Sequence, residues 1–172
     1  FHEGVSLAAL WKLPIVFICE NNEYSMGTPM SRTMSVEDVS LKAVGYGIAK
    51  DRFFATDVLE VEAKIGEAVK RAREESLPTL VEVRTYRFRG HSMADPEFYR
   101  DKSEVEHMRQ MDPITTFSAA LIGSGQVKQE ESDAIAQRVE EEVETATQFA
   151  EESEFPSVDT LLDNMYAPSP LD

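Results

Sequence analysis

Two short segments carry residue types that do chemistry. The first is Asn21-Asn22-Glu23-Tyr24, directly after the apolar run Ile15-Val16-Phe17-Ile18-Cys19. An asparagine carbonyl is a hard, neutral oxygen ligand suited to Mg²⁺ or Ca²⁺, and a backbone carbonyl of a tight loop can add another. The same pair is also ordinary turn chemistry, since Asn side chains accept from nearby backbone N–H groups. The second segment is Arg87-Phe88-Arg89-Gly90-His91-Ser92. Two cations and an imidazole around a glycine suit a dianionic phosphate, with the glycine allowing close backbone approach. His91 could also move protons near neutral pH. The competing reading is a surface loop whose arginines pair with acids such as Asp95 or Glu97.

Other reactive side chains offer less. His2 and His107 read as surface histidines, and Cys19 inside the apolar run reads as an inert core thiol. No Gly-x-Ser-x-Gly elbow and no phosphate-cradling P-loop is present. A single cysteine excludes an internal disulfide framework and a cysteine-rich zinc site.

Positioning these segments requires a framework, and the hydrophobic patterning supplies one. A short helix ends near Pro14. Ile15–Cys19 is continuously apolar, as in a strand buried on both faces of a parallel sheet. Residues 25–35 read as loop, and a helix is expected from Ser35, with Glu37 and Asp38 in its first turn. A short strand near Arg52–Thr56 follows. Val58, Val61, Ile65, Val69 and Ala72 then recur at helical spacing to about Glu75. After Pro78, Leu80–Tyr86 alternates apolar and polar residues like a strand. Strand, helix and strand with short joins make a βαβ unit, so the core is α/β. In such sheets ligands sit at the carboxyl ends of the strands, where Asn21-Asn22 falls.

Residues 86–100 show no periodicity, and an irregular stretch this long is usually functional. Phe88, Met93 and Phe98 are its only evident apolar anchors, so local opening should cost little. Helices are expected near Ser103–Met111, Pro113–Ile122 and Lys128–Glu151. The Ala167-Pro168-Ser169-Pro170 end reads as a fraying tail.

The 172 residues hold 17 Lys+Arg against 32 Asp+Glu, a formal charge of −15, which argues against nucleic-acid binding. The excess is uneven: residues 1–100 carry 15 acids and 13 bases, residues 101–172 carry 17 acids and 4 bases. This predicts a balanced α/β domain over 1–100 and an acidic helical extension over 101–172 packed on it. At 42% hydrophobic residues the chain can bury a real core. No apolar run approaches the roughly 18–20 residues of a membrane-spanning helix. The chain opens with Phe1-His2 and has no basic segment before an apolar one, so a reducing compartment and a start displaced from the natural one are expected.

Three separated motifs, in order, carry a family resemblance. Ala8-Ala9-Leu10-Trp11-Lys12-Leu13-Pro14 leads into Ile18-Cys19-Glu20-Asn21-Asn22, with Tyr24, Met26 and Gly27 beyond. The second is Tyr86-Arg87-Phe88-Arg89-Gly90-His91-Ser92-Met93-Ala94-Asp95-Pro96, and Tyr99-Arg100 with Asp112-Pro113-Ile114 completes the set. This order resembles the C-terminal portion of the alpha subunit of the pyruvate dehydrogenase first component, over nearly the whole chain.

The resemblance implies a thiamine-diphosphate-binding fold, a mostly parallel sheet flanked by helices, here N-terminally incomplete with a helical C-terminal extension. It implies thiamine diphosphate and Mg²⁺ as cofactors, with Asn22 and the backbone carbonyl of Tyr24 as metal ligands. It places Arg87 and His91 by the cofactor, His91 as the catalytic residue, and Ser92 at a regulatory phosphorylation position. Implied partners are a beta subunit carrying the activating glutamate, a lipoyl-bearing acyltransferase, and pyruvate as substrate. Self-association of an incomplete domain is a further expectation. The implied location is bacterial cytoplasm, or the mitochondrial matrix in a eukaryote.

The departures are specific. The Gly-Asp-Gly half of the family's cofactor motif, which supplies a metal-binding Asp, has no counterpart here, so the 172 residues alone are expected to be inactive. Phe53-Phe54-Ala55 stands where relatives usually carry Val-Asp-Gly, Ser25 where a Gly is usual, and Ser6 where an Asn is usual. Gly-His-Ser-Met-Ala-Asp-Pro favours pyruvate over branched-chain substrates. An acetoin-type dehydrogenase and a non-catalytic assembly domain that kept the fold are the alternatives.

Overall fold

The computed structural model describes residues 1–163 and 165, so the 167–170 tail lies outside the described residues. The chain divides into two compact units, Phe1–Ser124 and Gly125–Asp172. The charge break at residue 100 thus falls inside the first unit, because two helices beyond it belong there.

The first unit opens with helix α1 (His2–Leu10) and strand β1 (Val16–Asn21). A two-residue hairpin, β2 (Tyr24–Ser25) and β3 (Thr28–Pro29), and a single helical turn, α2 (Met30–Thr33), follow. A 3₁₀ helix spans Val39–Tyr46, then come β4 (Ala49–Phe54), α3 (Val58–Glu75) and β5 (Thr79–Arg84). After the 86–100 segment come α4 (Lys102–Arg109) and α5 (Pro113–Gly123). In the second unit α6 (Gln129–Glu152) is followed by a 3₁₀ turn at Val158–Thr160.

The main sheet is parallel, in the order β1-β5-β4. β5 is central, with Val81 opposite Ile18 on one side and Asp51 on the other. This corrects two expectations. Thr79 to Val83 are all buried, so β5 does not alternate between core and solvent. β1 has no fully buried residue and Ile18 is 52% exposed, because among the described residues β5 is its only strand neighbour. An apolar run identifies a strand but not its rank in the sheet.

α3 forms for reasons visible in the chain. Asp57 caps it, its carboxylate accepting from the N–H groups of Leu59 at 2.8 Å and Glu60 at 3.4 Å. The helix stops at Ser76, in the left-handed conformation (φ 53°) just before Leu77-Pro78. Ala68 of α3 joins Phe53, Val81 and Val83 in the core, with Val16, Val61 and Ile65 packed around them. Asp101 and Asp112 cap α4 and α5 in the same way, the latter followed by Pro113 at the first helical position.

The helix expected from Ser35 begins later, at Val39, and as 3₁₀. Asp38 sits at its N-cap, where its carboxylate accepts from the Ser40 hydroxyl and faces Lys50 Nζ at 3.8 Å and Arg52 Nε at 3.9 Å. The 25–35 stretch is a hairpin and a helical turn rather than plain loop. No helix among the described residues is long and apolar enough to cross a membrane.

Candidate functional site

At its carboxyl end β1 runs into a loop that treats its two asparagines differently. The Asn21 amide is held at both ends: Nδ2 donates to Glu82 Oε1 at 2.7 Å and to Met30 Sδ at 3.0 Å, and Oδ1 accepts from Glu23 N–H at 3.0 Å. Asn22 Oδ1 accepts from Tyr24 N–H, at 3.2 Å. An amide oxygen has two lone pairs, so Asn22 keeps one for a ligand, on a side chain not pinned into the sheet as Asn21 is. Glu23 follows at φ 70°. A non-glycine residue adopts that conformation at a cost and needs holding. Two contacts hold it: its carboxylate takes Arg84 Nε at 2.8 Å and Nη2 at 2.6 Å, and its carbonyl accepts from Met30 N–H at 2.8 Å.

The 86–100 segment is tied to this loop mainly by polar groups. Arg87 Nη2 donates to the carbonyl of Met26 at 2.6 Å and to Tyr99 Oη at 2.9 Å. Asp95 closes the segment on itself, accepting from His91 N–H at 2.7 Å, Glu97 N–H at 2.9 Å and Tyr99 Oη at 2.7 Å. These bonds, the tyrosine hydroxyl first, hold its carboxyl down to about 2. Two of the expected apolar anchors are not anchors at all: Met93 is 100% and Phe98 92% exposed. Gly27 and Gly90 are required by space. A Cβ on Gly27 would lie 2.8 Å from the Tyr99 ring, and one on Gly90 2.8 Å from Asp95 Cβ.

Behind the segment lies a group that sequence reasoning misses. The Arg100 guanidinium stands 5.7, 5.4 and 5.9 Å from the ring centres of Tyr24, Tyr86 and Tyr99, within cation–π range. It also binds Glu97 and the Arg87 carbonyl. Tyr24 and Tyr86 hydroxyls both donate to Glu104 Oε1, at 2.8 and 2.7 Å. Burial, and then Glu104, pushes the Tyr24 phenol up to about 12 and raises Tyr86 as well. The tyrosine spacing carries no periodic signal; only the fold collects it.

Glu82 escapes sequence reasoning for a different reason. Alternation places it on a solvent face, yet it is 0% exposed at the centre of β5. Its carboxylate is satisfied by Asn21, by Ser40 N–H at 3.1 Å and by Arg52 Nε at 3.2 Å. An acid within an otherwise apolar strand is the available signal. Burial pushes the neighbouring Cys19 thiol up, in keeping with an unreactive cysteine.

The structure thus brings together the loop bearing Asn22 and Tyr24 with the segment bearing Arg87, His91 and Ser92. His91 and Ser92 are both exposed, and His91 is held through its backbone. The ion pair within the segment is Arg100 with Glu97, rather than Arg87 with an acid.

Residues 1–159 match the family model described as "Dehydrogenase E1 component". The chain belongs to the dehydrogenase E1 component family. It is 39% identical over 165 residues to a Rickettsia bellii protein named pyruvate dehydrogenase E1 component subunit alpha, covering 96% of this chain and 51% of that one. A Rhizobium meliloti protein of the same name is 40% identical over 161 residues, 93% of this chain and 46% of its own. A chloroplastic alpha-3 subunit from Oryza sativa subsp. japonica is 38% identical over 167 residues, 97% and 39% respectively. The chain therefore spans about half the length of these curated relatives, or less.

The Phe53-Phe54 pair has a structural role here. Phe53 fills the core at 7% exposure, and the Arg84 guanidinium lies 4.0 Å from the Phe54 ring centre. Arg84 is thus held by Phe54 and Glu23 together. Asn22 offers a neutral amide oxygen, and the Tyr24 carbonyl, two residues on, is an oxygen of the same neutral kind. Among the described residues no cluster of three or more His, Cys, Asp or Glu could hold a metal. Such oxygens fit Mg²⁺ only together with anionic ligands, because the ion otherwise keeps its water. A diphosphate would meet that need, and Arg87 Nε is a buried donor with no partner.

Proposed function

We propose that this chain is part of the alpha subunit of a pyruvate dehydrogenase first component, acting with thiamine diphosphate and Mg²⁺ in oxidative decarboxylation of pyruvate and acyl transfer to a lipoyl group. The observation that carries this reading is a hydrogen bond between the two motif-bearing segments, Arg87 Nη2 to the Met26 carbonyl at 2.6 Å. It sets a guanidinium beside the loop that presents the second lone pair of Asn22. In this reading Asn22 Oδ1 and the Tyr24 carbonyl would hold Mg²⁺, which would offset the charge of a bound diphosphate. Arg87 offsets the diphosphate's charge, and its unpartnered Nε supports that role. Thiamine diphosphate supplies the electron sink for cleavage of the bond to the carboxylate.

His91 lies on the exposed rim of the segment and holds or passes a proton there. Ser92, beside it and exposed, is the position at which a phosphoryl group would set a dianion against the diphosphate. A beta subunit contributes the activating glutamate, and a lipoyl-bearing acyltransferase takes the acyl group. The relatives named above include bacterial and chloroplastic proteins, which supports a location in bacterial cytoplasm or in an organelle that houses the same complex.

The test is pyruvate decarboxylation by the native complex containing this chain, with thiamine diphosphate and Mg²⁺ added or removed. Turnover should require both, and Arg87→Ala should raise the thiamine diphosphate demand about tenfold or more. Turnover indifferent to thiamine diphosphate would refute the reading, as would cleavage of acetoin with no action on pyruvate.

A further inference from the structure

Glu82 is a wholly buried carboxylate on the central strand, at 0% exposure, yet it belongs to no part of the chemistry described so far. Burying a carboxylate is costly unless each oxygen is satisfied. Its oxygens divide the work: Oε2 accepts from Ser40 N–H at 3.1 Å and Arg52 Nε at 3.2 Å, and Oε1 accepts from Asn21 Nδ2 at 2.7 Å. The first pair ties β5 to the 3₁₀ helix and β4. The second reaches the last residue of β1, immediately before Asn22.

Asn21 turns that bond into a conformational constraint. With a carboxylate on one side of its amide and Glu23 N–H on the other at 3.0 Å, only one orientation of the amide satisfies both. Glu82 thereby fixes which end of Asn21 meets the Glu23 backbone. Glu23 in turn holds the left-handed φ of 70° that turns the chain back so that Tyr24 N–H meets Asn22 Oδ1. The sequence of contacts runs from a buried charge, through one neutral amide, to the conformation of the loop that carries Asn22.

We infer that Glu82 is a positioning residue, acting through Asn21 to set the backbone of the Asn22–Tyr24 loop. The use of that loop for a divalent cation rests on the reading proposed above; the positioning itself does not. Groups behind metal ligands commonly influence affinity about 10–100-fold, and Glu82 stands one residue further back than that.

The chemistry suggests a rescue experiment. In Glu82→Gln the side chain keeps one acceptor for Ser40 and Arg52 but turns an N–H₂ toward Asn21 Nδ2, donor against donor. Asn21 must then either leave that contact or flip its amide, and flipping turns Nδ2 against the Glu23 N–H. Both outcomes unlatch the loop. Asn21→Asp in the Glu82→Gln background restores an acceptor facing the introduced amide while keeping one for Glu23 N–H, moving the charge from residue 82 to residue 21.

The measurement is amide hydrogen exchange on the full chain. Glu82→Gln should speed exchange at Glu23 and Tyr24 about tenfold, with Val81 and Val83 within about twofold of wild type, and the double variant should return it. Unchanged exchange at Glu23 overturns the inference. So does equal acceleration along all of β5, which would mark Glu82 as a general support of the sheet, and so does failure of the double variant to restore the loop. A second measurement separates the two proposals: Mn²⁺ affinity by electron paramagnetic resonance in the native thiamine-diphosphate holoenzyme. If Asn22→Ala leaves that affinity unchanged while the exchange results stand, the cation assignment falls and the positioning role survives.

Discussion

Gly90→Ala should open the 86–100 segment without unfolding the protein. A Cβ built on Gly90 meets Asp95 Cβ at 2.8 Å, Cγ at 3.0 Å and the Asp95 carbonyl oxygen at 3.0 Å, where ordinary contact begins at 3.4 Å. Two of these three atoms are backbone or fixed to it, so no side-chain rotation relieves the clash. Residues 90 and 95 must separate by at least about 0.6 Å. That motion stretches the 2.7 Å bond from His91 N–H to Asp95 Oδ2 directly, because His91 is the next residue. It also pulls on the Tyr99 hydroxyl, which shares Asp95 Oδ2 and accepts from Arg87. A displacement approaching 1 Å of a reacting group commonly costs up to about 100-fold in rate. On the function proposed above, kcat/KM of the native complex should fall about 10–100-fold, the size set by that displacement. In the isolated chain, limited trypsin cleavage after Arg87 and Arg89 should accelerate while the thermal midpoint stays put, since no atom of the Phe53–Ala68–Val81–Val83 core is touched. Wild-type cleavage rates at both arginines would refute the reasoning, because the closure would then not depend on the absent Cβ.

The same geometry fixes four other outcomes. Asp95 has its folded pKa depressed to about 2, so the closure it makes is fully present above the free carboxyl value of about 3.9 and is lost as pH falls through about 2. Exchange of the His91 and Glu97 amides should rise in that acid window, and Asp95→Asn should remove the transition. Glu104→Gln should lower the ionisation of Tyr24 from about 12, with Tyr86 following, as read by tyrosinate absorbance in an alkaline titration. On the function proposed above, Asn22→Ala should raise the Mg²⁺ and thiamine diphosphate requirement of the native complex at least about tenfold by calorimetric titration, with the far-ultraviolet circular dichroism unchanged. Leu80→Ala, at 1% exposure on the central strand, should cost roughly 2–5 kcal/mol in a urea unfolding experiment.

Much of this protein is determined by short-range chemistry that the chain states openly. The apolar stripe of α3, Pro78 beyond it and the helices expected near Ser103–Met111 and Pro113–Ile122 are local signals, and those helices appear within about two residues of where expected. The two motif-bearing segments are legible because each concentrates unusual side chains within a few residues, which does not depend on packing.

What only the tertiary structure decided are the relations between distant residues. Periodicity describes how one segment meets an environment and is silent about which environment that is. An apolar run therefore identifies β1, but its place at the side of β5 depends on pairing across about sixty residues of sequence. Alternation puts Glu82 in solvent because a buried, fully bonded carboxylate and an exposed one have the same letter; the difference lies in Asn21, Ser40 and Arg52, none of them near it in sequence. The distinction between Asn21 and Asn22 arises in the same way, since two adjacent identical residues differ only in what the fold sets opposite each. Arg100 likewise draws on Tyr86 at the far end of its own segment and on Tyr24 from another part of the chain. Local free energies choose helix, strand and turn; the satisfaction of buried polar groups is a property of three-dimensional neighbours, and only the folded chain assigns those.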